Sequence, residues 1–180
     1  MANSLTMSFY TTGMSRVEAD GDEQLVAAAR NGDFEAFVSL FERHRVQVYR
    51  FAYQMVGKRD DAEDLVQETF IRAYQNLHRY REEAKFSTWL LRIVSNLGKD
   101  QIRMTTRRSN LEQREAKGAL EYMTVGPPES ADGKLLDDER RDVIRKAILS
   151  LPEHHRTMII LRDIEEREYE DIASILSCTM

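Results

Sequence analysis

Cysteine is almost missing: a single Cys178 in 180 residues cannot close an internal disulfide, and with only four scattered histidines it does not assemble a tetrahedral structural zinc site. Long apolar runs are missing too. Leu25 to Ala29 and Met158 to Leu161 fall far short of the ~20 residues a membrane helix needs, so no membrane insertion is expected. Met1 to Gly13 holds no basic cluster followed by an apolar block, which reads as no secretory signal and a cytoplasmic chain. No glycine-rich phosphate loop is present, and the only histidine pair, His154-His155, sits at adjacent positions that point apart on a helix. With no third ligand or nucleophile at a useful spacing, neither an enzyme nor a cofactor nor a metal is expected. Positive charge is short as well. Lys and Arg number 26 against 31 Asp and Glu, a net charge of -5, so any contact with DNA must come from a local basic face.

Proline and glycine are sparse, three and eight residues, and the stretches between them repeat apolar residues at threes and fours rather than alternating. The predicted fold is all-α, and the length allows one ordinary domain or two small helical ones. Residues 1–20 lack periodicity and read as a disordered tail. A first domain is expected over 21–104. In it Asp22 caps a short helix through Leu25, Val26 and Ala29 that Gly32 stops, and Asp33 caps a longer one. Phe34, Phe37, Phe41, Val48, Ala52 and Met55 form the core stripe of that longer helix, up to Gly57. Asp60 or Asp61 starts the next, with Ala62, Leu65, Val66, Thr69, Phe70, Ala73 and Leu77 facing inward. Its outer face carries five acids between Asp60 and Phe70 and no base, more than acids favouring a helix N-terminus explains.

Tyr80 to Lys85 breaks the period as a charged loop, and Ser87 is expected to cap a third long helix holding Trp89, Leu90, Ile93, Val94, Leu97 and Ile102. Arg92, Asn96, Lys99, Arg103 and Arg107 recur on that helix at fours and threes, so they share one edge. From Arg79 to Arg108 there are eight bases against three acids. The first half of the chain is therefore electrically polarised. Residues 105–138 lose the period, gather glycine and proline, and read as a flexible linker with a short helical piece near Leu111 to Tyr122. A second domain over 139–180 opens with the stripe Val143, Ile144, Ala147, Ile148 and Leu151. Ser150-Leu151-Pro152-Glu153 then reads as a capping box, and a last helix runs from Tyr169 to Leu176. At 42 residues this piece is close to the ~40 below which a domain seldom folds unaided, so it is expected to lean on the first domain or on a partner.

Asp61-Ala62-Glu63-Asp64-Leu65-Val66-Gln67-Glu68-Thr69-Phe70, followed by Phe86-Ser87-Thr88-Trp89-Leu90, Arg92-Ile93 and Asn96, then Leu151-Pro152-Glu153 and Tyr169 to Ala173, resembles a group IV (extracytoplasmic-function, sigma-70 family) RNA polymerase sigma factor. The likeness spans Asp22 to Met180. It implies a protein that binds core RNA polymerase, directs it to promoter DNA and nucleates opening of the minus-ten element, under control of an anti-sigma factor. It further implies that Asp61, Asp64, Leu65, Gln67 and Glu68 meet the beta-prime clamp helices, with the beta subunit as a further contact. Arg81, Lys85, Phe86, Ser87, Arg92, Asn96, Lys99 and Arg103 are then the minus-ten residues, while Trp89 belongs to the core. In the second domain, read as an incomplete helix-turn-helix domain, Tyr169, Ile172 and Ala173 lie on the helix that supports minus-thirty-five recognition. The recognition helix itself would begin beyond Met180, so the likeness is to a factor truncated before it. A rival reading is a truncated sigma-like module that occupies polymerase or an anti-sigma factor without starting transcription. The family often has a glycine before the last helix, where this chain has Glu166-Arg167-Glu168, so that turn does without glycine's freedom at positive φ.

Overall fold

The computed structural model describes residues 21–81, 83–115 and 133–176, with side chains described as far as Arg108 and again from Arg140. The regular elements among them are helices: α1 Asp22–Arg30, α2 Phe34–Val56, α3 Arg59–Asn76 with a 3-10 turn Leu77–Arg79, α4 Phe86–Glu115, α5 Gly133–Ser150, α6 Glu153–Ile159 continued by a π turn Ile160–Ile164, and α7 Tyr169–Leu176. The fold is all-α. The tail 1–20, most of the expected helical piece near Leu111 to Tyr122, and Ser177 to Met180 with Cys178 lie outside the described residues.

α2 is the axis on which the other elements pack. The Asp33 carboxylate accepts the Ala36 amide at 3.2 Å, which satisfies one of the unpaired donors of the first turn, and Gly57 closes the helix at φ 75. Leu40, Val48, Phe51, Ala52 and Met55 are at most 1 % exposed, and α1, α3 and α4 seat against this helix. Each of these fully buried Leu, Val, Phe and Met side chains contributes roughly 1.5–3 kcal/mol relative to exposure. Phe34 departs from the predicted stripe: it is 58 % exposed and stands edge-on to Tyr74, 6.0 Å between centroids.

Several predicted boundaries move for identifiable reasons. Gly21, not Asp22, is the cap of α1; the Asp22 carboxylate is taken by Arg43 at 2.7 Å and His44 at 2.9 Å on α2. α3 begins at Arg59 with Asp60 and Asp61 inside its first turn, where they complement the helix dipole without capping. α4 begins at Phe86, so Ser87 is already helical. It then runs into the stretch read as linker, to Glu115, while α5 enters that stretch from the other side at Gly133. In this polar stretch the Thr105 and Thr106 hydroxyls donate back to the carbonyls of Gln101 and Ile102, both at 2.9 Å, which accommodates them in the helix at a small cost.

α5 to α7 lie against α2 and α4. Of the stripe predicted on α5, Val143 and Ile144 are exposed and Ile148 is buried, since only the last turns of α5 reach α2. The capping box does not form. Ser150 donates its hydroxyl to Ala147, Pro152 occupies the cap position, and the Glu153 carboxylate accepts Arg103 instead. Arg156, 8 % exposed, donates to the carbonyls of Met55 on α2 and of Leu149 and Leu151 on the α5–α6 corner, joining the two segments. Glu165, whose side chain is fully buried, receives Arg50 through two nitrogens at 2.8 and 3.1 Å and Gln47 at 2.9 Å. The next residue, Glu166, adopts φ 50, so a non-glycine residue accepts the left-handed conformation in this turn.

Candidate polymerase and nucleic-acid surfaces

α3 divides its residues cleanly. Ala62, Thr69 and Ala73 have no exposure, and Leu65 and Phe70 have 4 and 5 %, which fixes the inner face. Asp61, Asp64, Gln67 and Glu68 follow at intervals that put them together on the outer side, and Ile71, 51 % exposed, continues it by one turn. Leu65 does not belong to that surface: it is a core residue that orients the helix. The Glu63 and Glu68 carboxylates pair along α3 itself, with Arg59 at 2.9 Å and Arg72 at 2.6 Å. Exposed pairs of this kind are weak, about 0.3–0.5 kcal/mol, and leave the face acidic.

The loop from Tyr80 to Lys85 is shaped by aromatic packing. Tyr80, 5 % exposed, stands edge-on to Phe86 at 5.5 Å and tilted against Trp89 at 5.3 Å, and its hydroxyl donates to the Ala84 carbonyl at 2.7 Å. Phe86, expected among the DNA contacts, is 1 % exposed and packs under the loop against His44. Two cavities flank the loop. One, about 550 Å³, is lined by Arg79, Tyr80, Arg81, Glu83, Ala84, Thr88, Trp89, Arg92 and Ser174 of α7. The other, about 670 Å³, has Asp22, Glu23 and Glu83 against Arg43 and Lys85, with Ser87 at its rim. Both sizes fall within the usual range of ligand cavities, about 300–1,000 Å³. The first combines three guanidinium groups with aromatic rings, a chemistry that suits a phosphate and a base together; the second is balanced toward negative charge and suits neither.

Among the predicted minus-ten residues, Arg81 and Arg92 therefore line the first cavity, Lys85 and Ser87 the second. Asn96 is exposed further along α4, Lys99 is half-buried, and Arg103 reaches across to Glu153 at 3.0 Å. Trp89, expected in the core, is half-buried and shares a cavity wall. Sequence reasoning missed Arg79 and Tyr80, whose place in a charged loop was their only signal, and Ser174, which no pattern could have brought to this cavity. On α7, Ile172 is 4 % exposed, Ala173 half-buried, and Tyr169 59 % exposed beneath the Arg162 guanidinium at 5.2 Å.

Opposed charge on two faces of one helical core, beside a cavity of arginines and aromatic rings, has the chemistry to meet a basic macromolecule on one side and nucleic acid on the other. The comparisons agree. The Sigma-70 region 2 model matches residues 40–108, and the Sigma-70, region 4 model matches residues 141–180. The ECF RNA polymerase sigma factor SigW of Bacillus subtilis is 36 % identical over 157 residues, 84 % of this chain and 83 % of that one. The ECF RNA polymerase sigma-E factor of Haemophilus influenzae is 35 % identical over 161 residues, 87 % of this chain and 84 % of its own. Among solved structures, CnrH in complex with the cytosolic domain of CnrY matches with a TM-score of 0.63 at 22 % identity over 89 % of this chain and 85 % of that one, a likeness of fold. The sigma factor RpoE in complex with the anti-sigma factor NepR from Bartonella quintana matches with a TM-score of 0.53 at 26 % identity over 82 and 84 % of the two chains. The chain belongs to the extracytoplasmic-function RNA polymerase sigma factors of the sigma-70 family. It is thus a transcription initiation factor and not an enzyme.

Proposed function

We propose that Asp61, Asp64, Gln67 and Glu68 form the surface on which this sigma factor docks onto the clamp helices of core RNA polymerase, and that Arg81, Arg92, Asn96, Lys99 and Arg103 hold the non-template strand of the minus-ten element. The observation that carries the reading is the placement of the two charged faces on α3 and α4 of a single core. Pairing of Glu63 and Glu68 along α3 supports it, because the acidic face is not spent on the basic edge. A rigid acidic helix gains orientation and encounter rate from a basic partner.

Opening the duplex needs no catalytic group in this scheme. Extruding a base costs roughly a few kcal/mol, which stacking and phosphate contacts in the arginine-lined cavity offset. Its host machinery places the chain in the cytoplasm; among the described residues no helix is long and apolar enough to cross a membrane. Control by an anti-sigma factor follows the same reading, with the named complex of a relative as support. The test is charge reversal. Asp61→Lys with Asp64→Lys should weaken binding to core polymerase at least about tenfold, roughly 1.4 kcal/mol, while circular dichroism shows the same helix content. Unchanged affinity, with promoter-dependent run-off transcription intact, would remove the docking assignment.

A further inference from the structure

Arg30 is the last residue of α1 and lines neither cavity, yet it is tied to the segment that separates them. Its Nε donates to the Leu77 carbonyl at 3.1 Å and its Nη2 to the Tyr80 carbonyl, and the guanidinium carbon lies 5.6 Å from the Tyr80 ring centroid. Leu77 begins α3's trailing turn and Tyr80 begins the loop, so one planar fork bridges the two carbonyls that set where the chain leaves the helix. Tyr80 then carries the constraint onward: its ring leans on Trp89, and its hydroxyl holds Ala84 across the loop at 2.7 Å. Tyr80, Ala84 and Trp89 all line the arginine-rich cavity.

α1 has a seat of its own besides Arg30. Leu25, Val26 and Ala29 are buried, and Asp22 is held by Arg43 and His44. A helix-terminal arginine that only complemented its own dipole would face the carbonyls of α1; this one turns to carbonyls 47 and 50 positions away. We infer that Arg30 is a positioning residue for base capture, holding the Tyr80–Ala84 wall of the minus-ten cavity in its receptive shape from a helix that contributes no residue to that cavity. This rests on the minus-ten reading given above. A lysine cannot replace the fork, since a single ammonium is a point donor without the fixed planar geometry that reaches both carbonyls.

The test has one readout without DNA and one with it, both on the full chain. Trp89 is the only tryptophan, so its fluorescence reports on the cavity wall directly. In Arg30→Ala its emission should shift to the red and acrylamide quenching should increase, with Arg30→Lys between Ala and wild type. For the second readout, wild type with core polymerase selects a single-stranded oligonucleotide from a randomised pool, and each base of that oligonucleotide is replaced in turn by an abasic site. At the most sensitive position, Arg30→Ala should bind the intact strand about tenfold more weakly than wild type does, and the abasic strand equally well. Core affinity should not change. Wild-type quenching together with a wild-type ratio of intact to abasic binding would overturn the inference, as would an equal loss on both strands, the mark of a merely structural role. A wild type indifferent to every abasic site would remove the base-capture reading and the inference with it.

Discussion

His44 shows how a single side chain can make the fold pH-dependent. It is 8 % exposed, wedged between Phe86 and Asp22, with Nε2 2.9 Å from the carboxylate. Burial lowers its pKa; the Asp22 charge and hydrogen bond pull upward, Arg43 and Arg167 push down, and burial prevails. The folded state therefore resists protonation, and the neutral ring donates Nε2–H to Asp22. Above the ordinary imidazole value, about 6.5, both folded and unfolded states are neutral here and the contribution to stability is complete. As pH falls below that value the unfolded chain binds the proton first, and stability declines until the folded pKa has been passed. Urea unfolding at about pH 7.5 and 5.5 should show a larger loss of midpoint for wild type than for His44→Gln, which keeps a donor toward Asp22 but does not titrate. Equal losses would mean that His44 is not the group responsible.

At the scale of the helix, charge decides what α4 can do. Neutralising Lys99 and Arg103 to Ala should reduce the slope of log affinity against log salt, for a selected single strand bound with core polymerase, by up to about 1.4, or about 0.7 for each phosphate no longer neutralised. A slope equal to that of wild type would mean that this edge faces solvent. Helix positions were largely legible in the sequence, because buried residues at threes and fours leave a period that survives without knowledge of the partner: the spans of α2 and α7 and the inner face of α3 follow from it, while the predicted stripe of α2 included the exposed Phe34 and left out Leu40 and Phe51. Ends and caps were less legible, since they depend on what lies across the gap. Asp22 and Ser150 have the chemistry of caps, but Arg43 with His44 attracts one carboxylate and a carbonyl of α5 takes the other hydroxyl. The same holds for the site. The basic edge and acidic face are sequence-local patterns, whereas the wall formed by Tyr80, Trp89 and Ser174 joins residues nearly a hundred positions apart. The missing glycine before α7 was visible as a problem for that turn; its resolution was not, since Glu166 at φ 50 follows a carboxylate held by Arg50 and Gln47 from another helix.

Across the whole molecule, the second segment borrows its footing from the first. Arg156 on the Met55 carbonyl, Glu165 under Arg50, Arg103 with Glu153 and Thr88 with Asp171 at 3.3 Å all cross between α5–α7 and α2 or α4. Gly57 adds a close approach of a different kind, between the end of α2 and α5. It needs positive φ to end α2, and a Cβ built on it would stand 2.5 Å from Leu149 Cδ1 on α5. Gly57→Ala should lower stability by about 1–2 kcal/mol from the backbone conformation alone, with more added as Leu149 is displaced. In urea titrations Leu149→Ala in that background should relieve only the steric share, so the two substitutions should couple rather than add. Additive effects would show that Leu149 yields at no cost. The space of one hydrogen atom thus lets the end of α2 close directly against a side chain of α5. A homologue bearing a side chain there would have to hold a left-handed backbone and turn the tip of its leucine aside, because the atom it meets is the free end of a side chain and not backbone.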